Sequence, residues 1–283
     1  MSVPTDGAQR ASGHRSTRLT VVVLAALLAG SGLAASPPVA VFGAVAPKVV
    51  IIVGPNESRT AKYRDQADAL AAIASGYGAS VVKIYSPNAS WYKVRTKAQG
   101  ANLLIYLGHG NGWPSPYKPY QPYTKDGLGL NKASGNGNSN LKYWGEYYVR
   151  NELHLAPNAV VVLNHACYSS GSSEPGRADP SKSTAIKRVD NFGAGFLRTG
   201  ATAVFAETHA SISYIVRGLF TTDRSIRQIF WSSGSATRTY AFSFSSSRTS
   251  GMKALMDPSK PGKYYRSVIG NLDMTAATWR SAP

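Results

Sequence analysis

Apolar positions along this chain follow two rhythms. Short continuous apolar runs alternate with longer stretches in which apolar residues recur at helical spacing. The runs at 49–53, 80–85, 103–107, 160–163 and 201–207 read as strands, the first two closed by Gly54-Pro55 and Ser86-Pro87-Asn88. Between them, 58–75, 91–97, 146–155, 190–199 and 212–231 carry helix formers or an apolar stripe and read as helices. Beyond Ser232 the pattern weakens, with 240–244 an edge-strand candidate. This repeated strand–helix–strand order predicts an α/β three-layer sandwich: a mostly parallel sheet, right-handed crossovers and helices on both faces. No internal repeat or second domain is visible.

The segment 111–144 breaks the rhythm. It holds Trp113-Pro-Ser-Pro-Tyr-Lys-Pro-Tyr-Gln-Pro-Tyr123 and then Ser134-Gly-Asn-Gly-Asn-Ser-Asn140, which exclude a continuous helix or strand. So long a loop in a compact domain is usually functional or disordered. Starting directly after the 103–107 strand, it is expected over the mouth of any crevice there. Its tyrosines and Trp113 would stack on sugar rings, hold a peptide, or pack on the domain as a structural cover.

The N-terminus has its own organisation. Arg10, Arg15 and Arg18 precede an apolar stretch at 19–33 and then small residues, the order of a secretory signal. Ala44-Val45-Ala46 has the form of a cleavage site, with Pro47 unfavourable after it; a cut near Ala34 or Ala35 is the alternative, and an uncleaved anchor a third. The expected organisation is therefore a signal and short N-terminal segment over 1–46, and an α/β domain over 47–283 containing the 111–144 loop. Such a protein is secreted or associated with the cell envelope.

Charge narrows the partners. The chain carries a formal +17, of which +15 lies beyond residue 46. A basic surface outside a cell meets anionic wall polymers, lipid head groups or acidic protein. Its Lys and Arg are scattered, with no basic run and no nucleic-acid fold signature, so nucleic acid is not an expected partner.

The candidate chemistry sits at two strand ends. Leu103-Leu-Ile-Tyr-Leu-Gly-His109-Gly110 and Val160-Val-Val-Leu-Asn-His-Ala-Cys167 each run from an apolar strand into a reactive residue, where α/β sheets open their ligand crevice. Cys167 is the only cysteine, so no intramolecular disulfide forms. A lone cysteine with a histidine upstream has the arrangement of a nucleophile and its base. Taken alone, a lone cysteine is equally a buried small hydrophobe.

The two motifs in this order resemble those of the clan CD cysteine peptidases, which include caspases, legumains, gingipains and clostripain. The resemblance covers about residues 48–230 in motif order, and the cysteine motif here, His165-Ala166-Cys167-Tyr168-Ser169, is not the caspase form. It implies a caspase-like fold, a bacterial gingipain-like relative, and peptide or protein substrates. It further implies Cys167 as nucleophile, His109 as general base and acid, and an oxyanion hole from the backbone amides of Gly110 and Cys167. In this clan the pair often rests farther apart than a hydrogen bond. A neighbouring imidazolium would raise the thiolate fraction.

Glu207, Trp113, Tyr168, His165 and His209 are the candidate substrate contacts. Glu207, near the end of the strand neighbouring the Cys167 strand, would favour Arg or Lys before the scissile bond if it floors the primary pocket; otherwise it is a surface carboxylate paired with a basic residue. On an extended strand His165 shares a face with Cys167. With His109 and His209 these form a His/Cys set suited to zinc, although their spacing matches no compact zinc motif, and no cofactor is expected. Three readings result: an exported cysteine peptidase, a catalytically silent binder of wall glycan or peptide, and a zinc-dependent hydrolase.

Overall fold

A computed structural model describes residues 45–281. The expected signal segment lies, save for Val45 and Ala46, outside the described residues. Among the described residues no helix is long and apolar enough to cross a membrane.

The chain runs β1 (Lys48–Val53), α1 (Thr60–Gly76), β2 (Ser80–Tyr85), α2 (Trp91–Lys97), β3 (Leu103–Leu107), β4 (Leu128–Asn131), β5 (Leu141–Trp144), α3 (Glu146–Glu152) and β6 (Ala159–Asn164). It continues through α4 (Lys182–Leu197), β7 (Ala201–Glu207), α5 (Ser213–Thr221), α6 (Ile226–Trp231), β8 (Phe242–Ser245), β9 (Lys253–Met256), β10 (Arg266–Gly270) and α7 (Ala276–Arg280). The main sheet has eight strands in the order β2-β1-β3-β6-β7-β10-β9-β8. Its first five strands pair in parallel and the last three join antiparallel, so the mostly parallel α/β sandwich expected from the pattern is the observed architecture.

The pleat explains how continuous apolar runs serve both faces. Val50, Ile52, Leu104, Tyr106, Val161 and Leu163 point to one side, where α2, α3 and α4 add Trp91, Val149, Phe192 and Phe196. Val49, Ile51, Leu103, Ile105, Val160 and Val162 point to the other, against Tyr63 and Leu70 of α1, Ile215 and Phe220 of α5, and Trp279 of α7. These strand side chains are fully buried. Each is worth about 1.5–3 kcal/mol relative to exposure, which is why both halves of the alternation must be apolar.

Three expectations needed correction. The helix expected at 190–199 begins at Lys182, capped by the Ser181 hydroxyl on the Thr184 N–H. Its first turns hold Arg188, which reads as solvent-facing but is buried, donating to the carbonyls of Pro114, Gly171 and Ser172. The helix expected at 212–231 is two helices, because Ser225 and Gln228 form a capping box that starts α6 afresh. The 111–144 loop is not without regular structure: β4 and β5 form an antiparallel pair within it.

Candidate active site

Strand register lines up the site. Val53 of β1, Leu107 of β3, Asn164 of β6 and Glu207 of β7 are paired in a single row across the parallel sheet. The segments leaving these four strands therefore emerge at one edge: Gly54 to Arg59, Gly108-His109-Gly110, His165-Ala166-Cys167 and Thr208-His209. The result is a cleft of about 670 Å³ lined by Arg59, His109, His165, Cys167, Glu174 and His209, among others.

The turn carrying His109 is held from beneath. The Tyr106 hydroxyl lies 2.8 Å from the His109 carbonyl and 2.9 Å from that of Gly129, and accepts the Gly129 N–H at 3.0 Å. This otherwise apolar core residue thus joins the His109 turn to the β4–β5 hairpin. The turn needs its second glycine for space. A Cβ on Gly110 would sit 2.1 Å from the Cys167 carbonyl oxygen and 2.7 Å from its nitrogen. Gly110 therefore lies directly against the Cys167 backbone. Among the described residues neither the Gly110 N–H nor the Cys167 N–H is taken by another residue; the Cys167 N–H faces its own thiol.

The turn carrying Cys167 departs from the extended geometry assumed from sequence. His165 adopts φ 61° and Tyr168 φ 71°, so the chain curls as soon as it leaves Asn164. Asn164 pins this departure by donating to the carbonyls of Glu207 and Ala210 at 2.7 and 3.2 Å. His165 stacks flat on Tyr63, ring centres 4.4 Å apart. Its Nδ1 meets the Thr208 carbonyl and its Nε2 the Gln66 side-chain amide, each at 3.0 Å. Both ring nitrogens are occupied by protein, and burial pushes the imidazole down to about 4, so it stays neutral. His209 lines the cleft from the other side, exposed, edge-on to Tyr265 at 4.6 Å.

The electrostatics reverse one expectation. Burial, with a smaller contribution from the Glu174 charge, pushes the Cys167 thiol up to about 11. Burial also lowers His109, against the pull of Glu57. The resting pair is therefore a neutral thiol and a neutral imidazole, not a thiolate beside an imidazolium. No hydrogen bond joins them, and the His109 ring bonds no protein group among the described residues.

Three candidate contacts lie elsewhere. Glu207 does not floor the cleft: it is fully buried, accepts from Arg266 Nε at 3.0 and 3.1 Å, and takes the Tyr214 hydroxyl. It is neither a pocket carboxylate nor a surface one, because Arg266 holds it and Asp257 together inside the fold. Trp113 lines no part of the cleft. Asp126 takes its N–H and Asn191 of α4 its carbonyl, which turns the chain after Gly112 toward α4. Tyr168 is almost fully buried, with the Arg188 guanidinium 4.7 Å from its ring, and borders a second hollow rather than the cleft.

Sequence reasoning missed Arg59 and Glu174. Arg59 lies at the start of the stretch expected as the 58–75 helix and Glu174 in the connection after Cys167; the register row brings the one, and the loop after Cys167 the other, to the cleft. Within the cleft Arg177 pairs with Glu174 at 3.1 Å and Lys263 with Asp179 at 2.6 Å. Arg59 and Glu57 make no ion pair among the described residues. The proposed zinc set does not assemble either: among the described residues no three His, Cys, Asp or Glu side chains could hold a metal ion together. His165, with both nitrogens occupied, shows why.

No family model matches the chain, and no curated protein matches it. Among solved structures it is similar to a secreted C11 cysteine protease from Bacteroides thetaiotaomicron, determined in complex with an irreversible peptide inhibitor. The two share 11% identity at a TM-score of 0.38, over 75% of this chain and 66% of that one, just under two thirds. At that distance neither a residue role nor an activity transfers.

Proposed function

We propose that this chain is an exported hydrolase of peptide bonds that uses Cys167 as nucleophile and His109 as proton carrier. One observation carries the reading. The only cysteine and a histidine whose ring bonds no protein group among the described residues share a cleft at the ends of adjacent parallel strands, and Gly110 lies against the Cys167 nitrogen.

The neutral resting pair sets the order of events. As the Cys167 sulfur attacks a substrate carbonyl carbon, its proton passes to His109 and the carbonyl π electrons move onto oxygen. The N–H groups of Gly110 and Cys167 face that oxyanion; being fixed before charge develops, they stabilise it without reorganising. Collapse expels the amine, which takes the proton from His109 and leaves a thioester. Water then repeats the sequence: His109 accepts its proton, hydroxide adds to the thioester, and Cys167 leaves as the thiol after recovering that proton. The arrangement needs no cofactor. The export signal and the basic surface support action outside the cell, on protein or peptide near anionic wall or membrane.

The test is hydrolysis of a mixed peptide library by purified protein, read by mass spectrometry, with Cys167→Ala and His109→Ala beside the wild type. Cleavage lost in both variants with melting temperature retained supports the reading. Cleavage that survives Cys167→Ala overturns it. Absence of cleavage in the wild type, with a peptide still bound, would identify the silent binder, a reading that the strongly raised thiol also supports.

A further inference from the structure

Beyond Gly110 the loop builds a second hollow of about 430 Å³, bordered by Gly110, Tyr117, Lys125, Tyr143, Tyr168 and Glu174. It adjoins the reacting atoms. Gly110 lies against the Cys167 backbone, Glu174 borders both hollow and cleft, and the Cys167 charge is close enough to raise the Tyr143 phenol. A chain lying along the cleft with its carbonyl at Gly110 and Cys167 continues into this hollow.

Lys125 is the unusual member. Only 3% of its surface is exposed, yet it forms no ion pair among the described residues. Its ammonium has three donors, of which two are used: Asn111 Oδ1 at 2.8 Å and Ser115 Oγ at 3.1 Å. The Tyr117 ring centre, 5.5 Å away, forms the outer wall. The adjacent Asp126 makes no ion pair with it among the described residues: its Oδ1 accepts the Trp113 N–H, its Oδ2 has no hydrogen-bond partner there, and burial raises its carboxyl well above the usual range. Glu174 is already held by the Tyr117 hydroxyl at 2.6 Å and Arg177 at 3.1 Å. A buried cation is costly unless an anion completes its shell; Asp126 and Glu174 are near enough to favour the charged ammonium, but among the described residues no carboxylate reaches it at ion-pair distance. Tyr143 adds a hydroxyl that bonds no other described residue.

We propose that this hollow is a substrate subsite for a carboxylate, with Lys125 as its counter-ion, so that bonds cleaved at Cys167 are flanked by aspartate or glutamate. The inference rests on the peptidase reading for its adjacency to the scissile bond, but its ligand chemistry rests on Lys125 alone. It replaces the basic preference that Glu207 suggested.

Two heptapeptide pools, randomised except for a central Asp or Asn, test it. Retention of each pool on immobilised Cys167→Ala protein measures binding without turnover; cleavage by wild type measures specificity. The Asp pool should be favoured about tenfold or more in both, as expected for a charge-assisted contact. Lys125→Gln should bring the ratio to about one, and Lys125→Arg should retain a preference. Equal retention of the two pools by protein with Lys125 intact overturns the subsite even if Lys125→Gln does not fold. An acid preference unchanged in Lys125→Gln overturns the role of Lys125. Acid-selective retention without any cleavage would sink the peptidase reading and leave the subsite standing.

Discussion

The resting state of Cys167 gives the sharpest prediction, because sequence and structure disagree about it. A histidine beside a lone strand-end cysteine leads one to expect a thiolate that is alkylated quickly at neutral pH and slowed when the histidine is removed. With the thiol pushed up to about 11, only about one molecule in ten thousand is ionised at pH 7, against about 3% for a free cysteine. That is a deficit of roughly 300-fold. The more basic thiolate is intrinsically more nucleophilic, and a Brønsted slope of about 0.4–0.5 over about 2.5 pKa units returns roughly 10- to 18-fold. Iodoacetamide should therefore react roughly 20- to 30-fold more slowly than with glutathione at pH 7. The rate should climb about tenfold per pH unit up to about pH 10 without a plateau.

His109→Ala should barely change this rate, because the ring is neutral and burial, not the histidine, sets the thiol. Intact-mass kinetics between pH 6 and 10.5 measure all of it. A plateau beginning below pH 8, or a large loss of rate in His109→Ala, would show a preformed ion pair and refute the neutral-pair mechanism. A peptide carrying an electrophilic carbonyl should behave differently from iodoacetamide. It should react faster and depend on His109, because only a bound carbonyl draws the proton across.

Three further outcomes rest on named contacts. Glu174→Gln removes a charge that opposes the thiolate, so alkylation at pH 8 should rise about twofold for each half unit by which the thiol falls, the gain in ionised fraction being partly offset by lower nucleophilicity, and a fall in rate would contradict that electrostatic reading. Glu207→Ala should leave cleavage preference unchanged yet cost about 1–3 kcal/mol, or roughly 2–12 °C in melting temperature, by removing one of the two carboxylates that hold the buried Arg266; an altered preference would return Glu207 to the site. His165, held near 4 when folded, binds a proton less readily than in the unfolded chain. Stability should therefore be complete above about pH 6.5 and decline as pH falls toward 4, by up to about 3 kcal/mol. Denaturant titrations of His165→Gln should lack that slope, and an unchanged slope would assign it elsewhere.

The parts of the fold legible from sequence are those where one physical demand dominates. β2, α2, β3 and β7 match the expected boundaries; β3, covered on both faces, must be apolar throughout and stops at Gly108, while the edge strand β2 stops before Ser86-Pro87. The C-terminal strands were obscured by the opposite circumstance. β10 opens with Arg266, a charge that reads as surface but is neutralised inside the fold by Glu207 and Asp257, residues far from it in the apolar pattern. Likewise His109 and Cys167 were visible because strand ends are predictable, whereas Lys125 and Glu174 owe their positions to two separate loops, the first held by Asp126 and Asn191 and the second by Arg188. Long-range hydrogen bonding of polar residues leaves no period in a sequence.

A neutral Cys–His pair is compatible with catalysis for an electrostatic reason. The cleft already holds two ion pairs, Arg177–Glu174 and Lys263–Asp179, and a partly buried thiol that Glu174 disfavours ionising. A permanent thiolate–imidazolium pair there would need its own desolvation to be offset at all times, with no substrate present to gain from it. In the proposed mechanism, holding both groups neutral postpones charge separation until a carbonyl sits against the N–H groups of Gly110 and Cys167, where negative charge would move from sulfur onto the carbonyl oxygen. Interactions that strengthen only at that moment accelerate the reaction, while those already present in the free enzyme do not. On that proposal the raised thiol ties reactivity to substrate binding, and the contrast between iodoacetamide and a peptide electrophile is the measurement that separates a waiting nucleophile from an inert one.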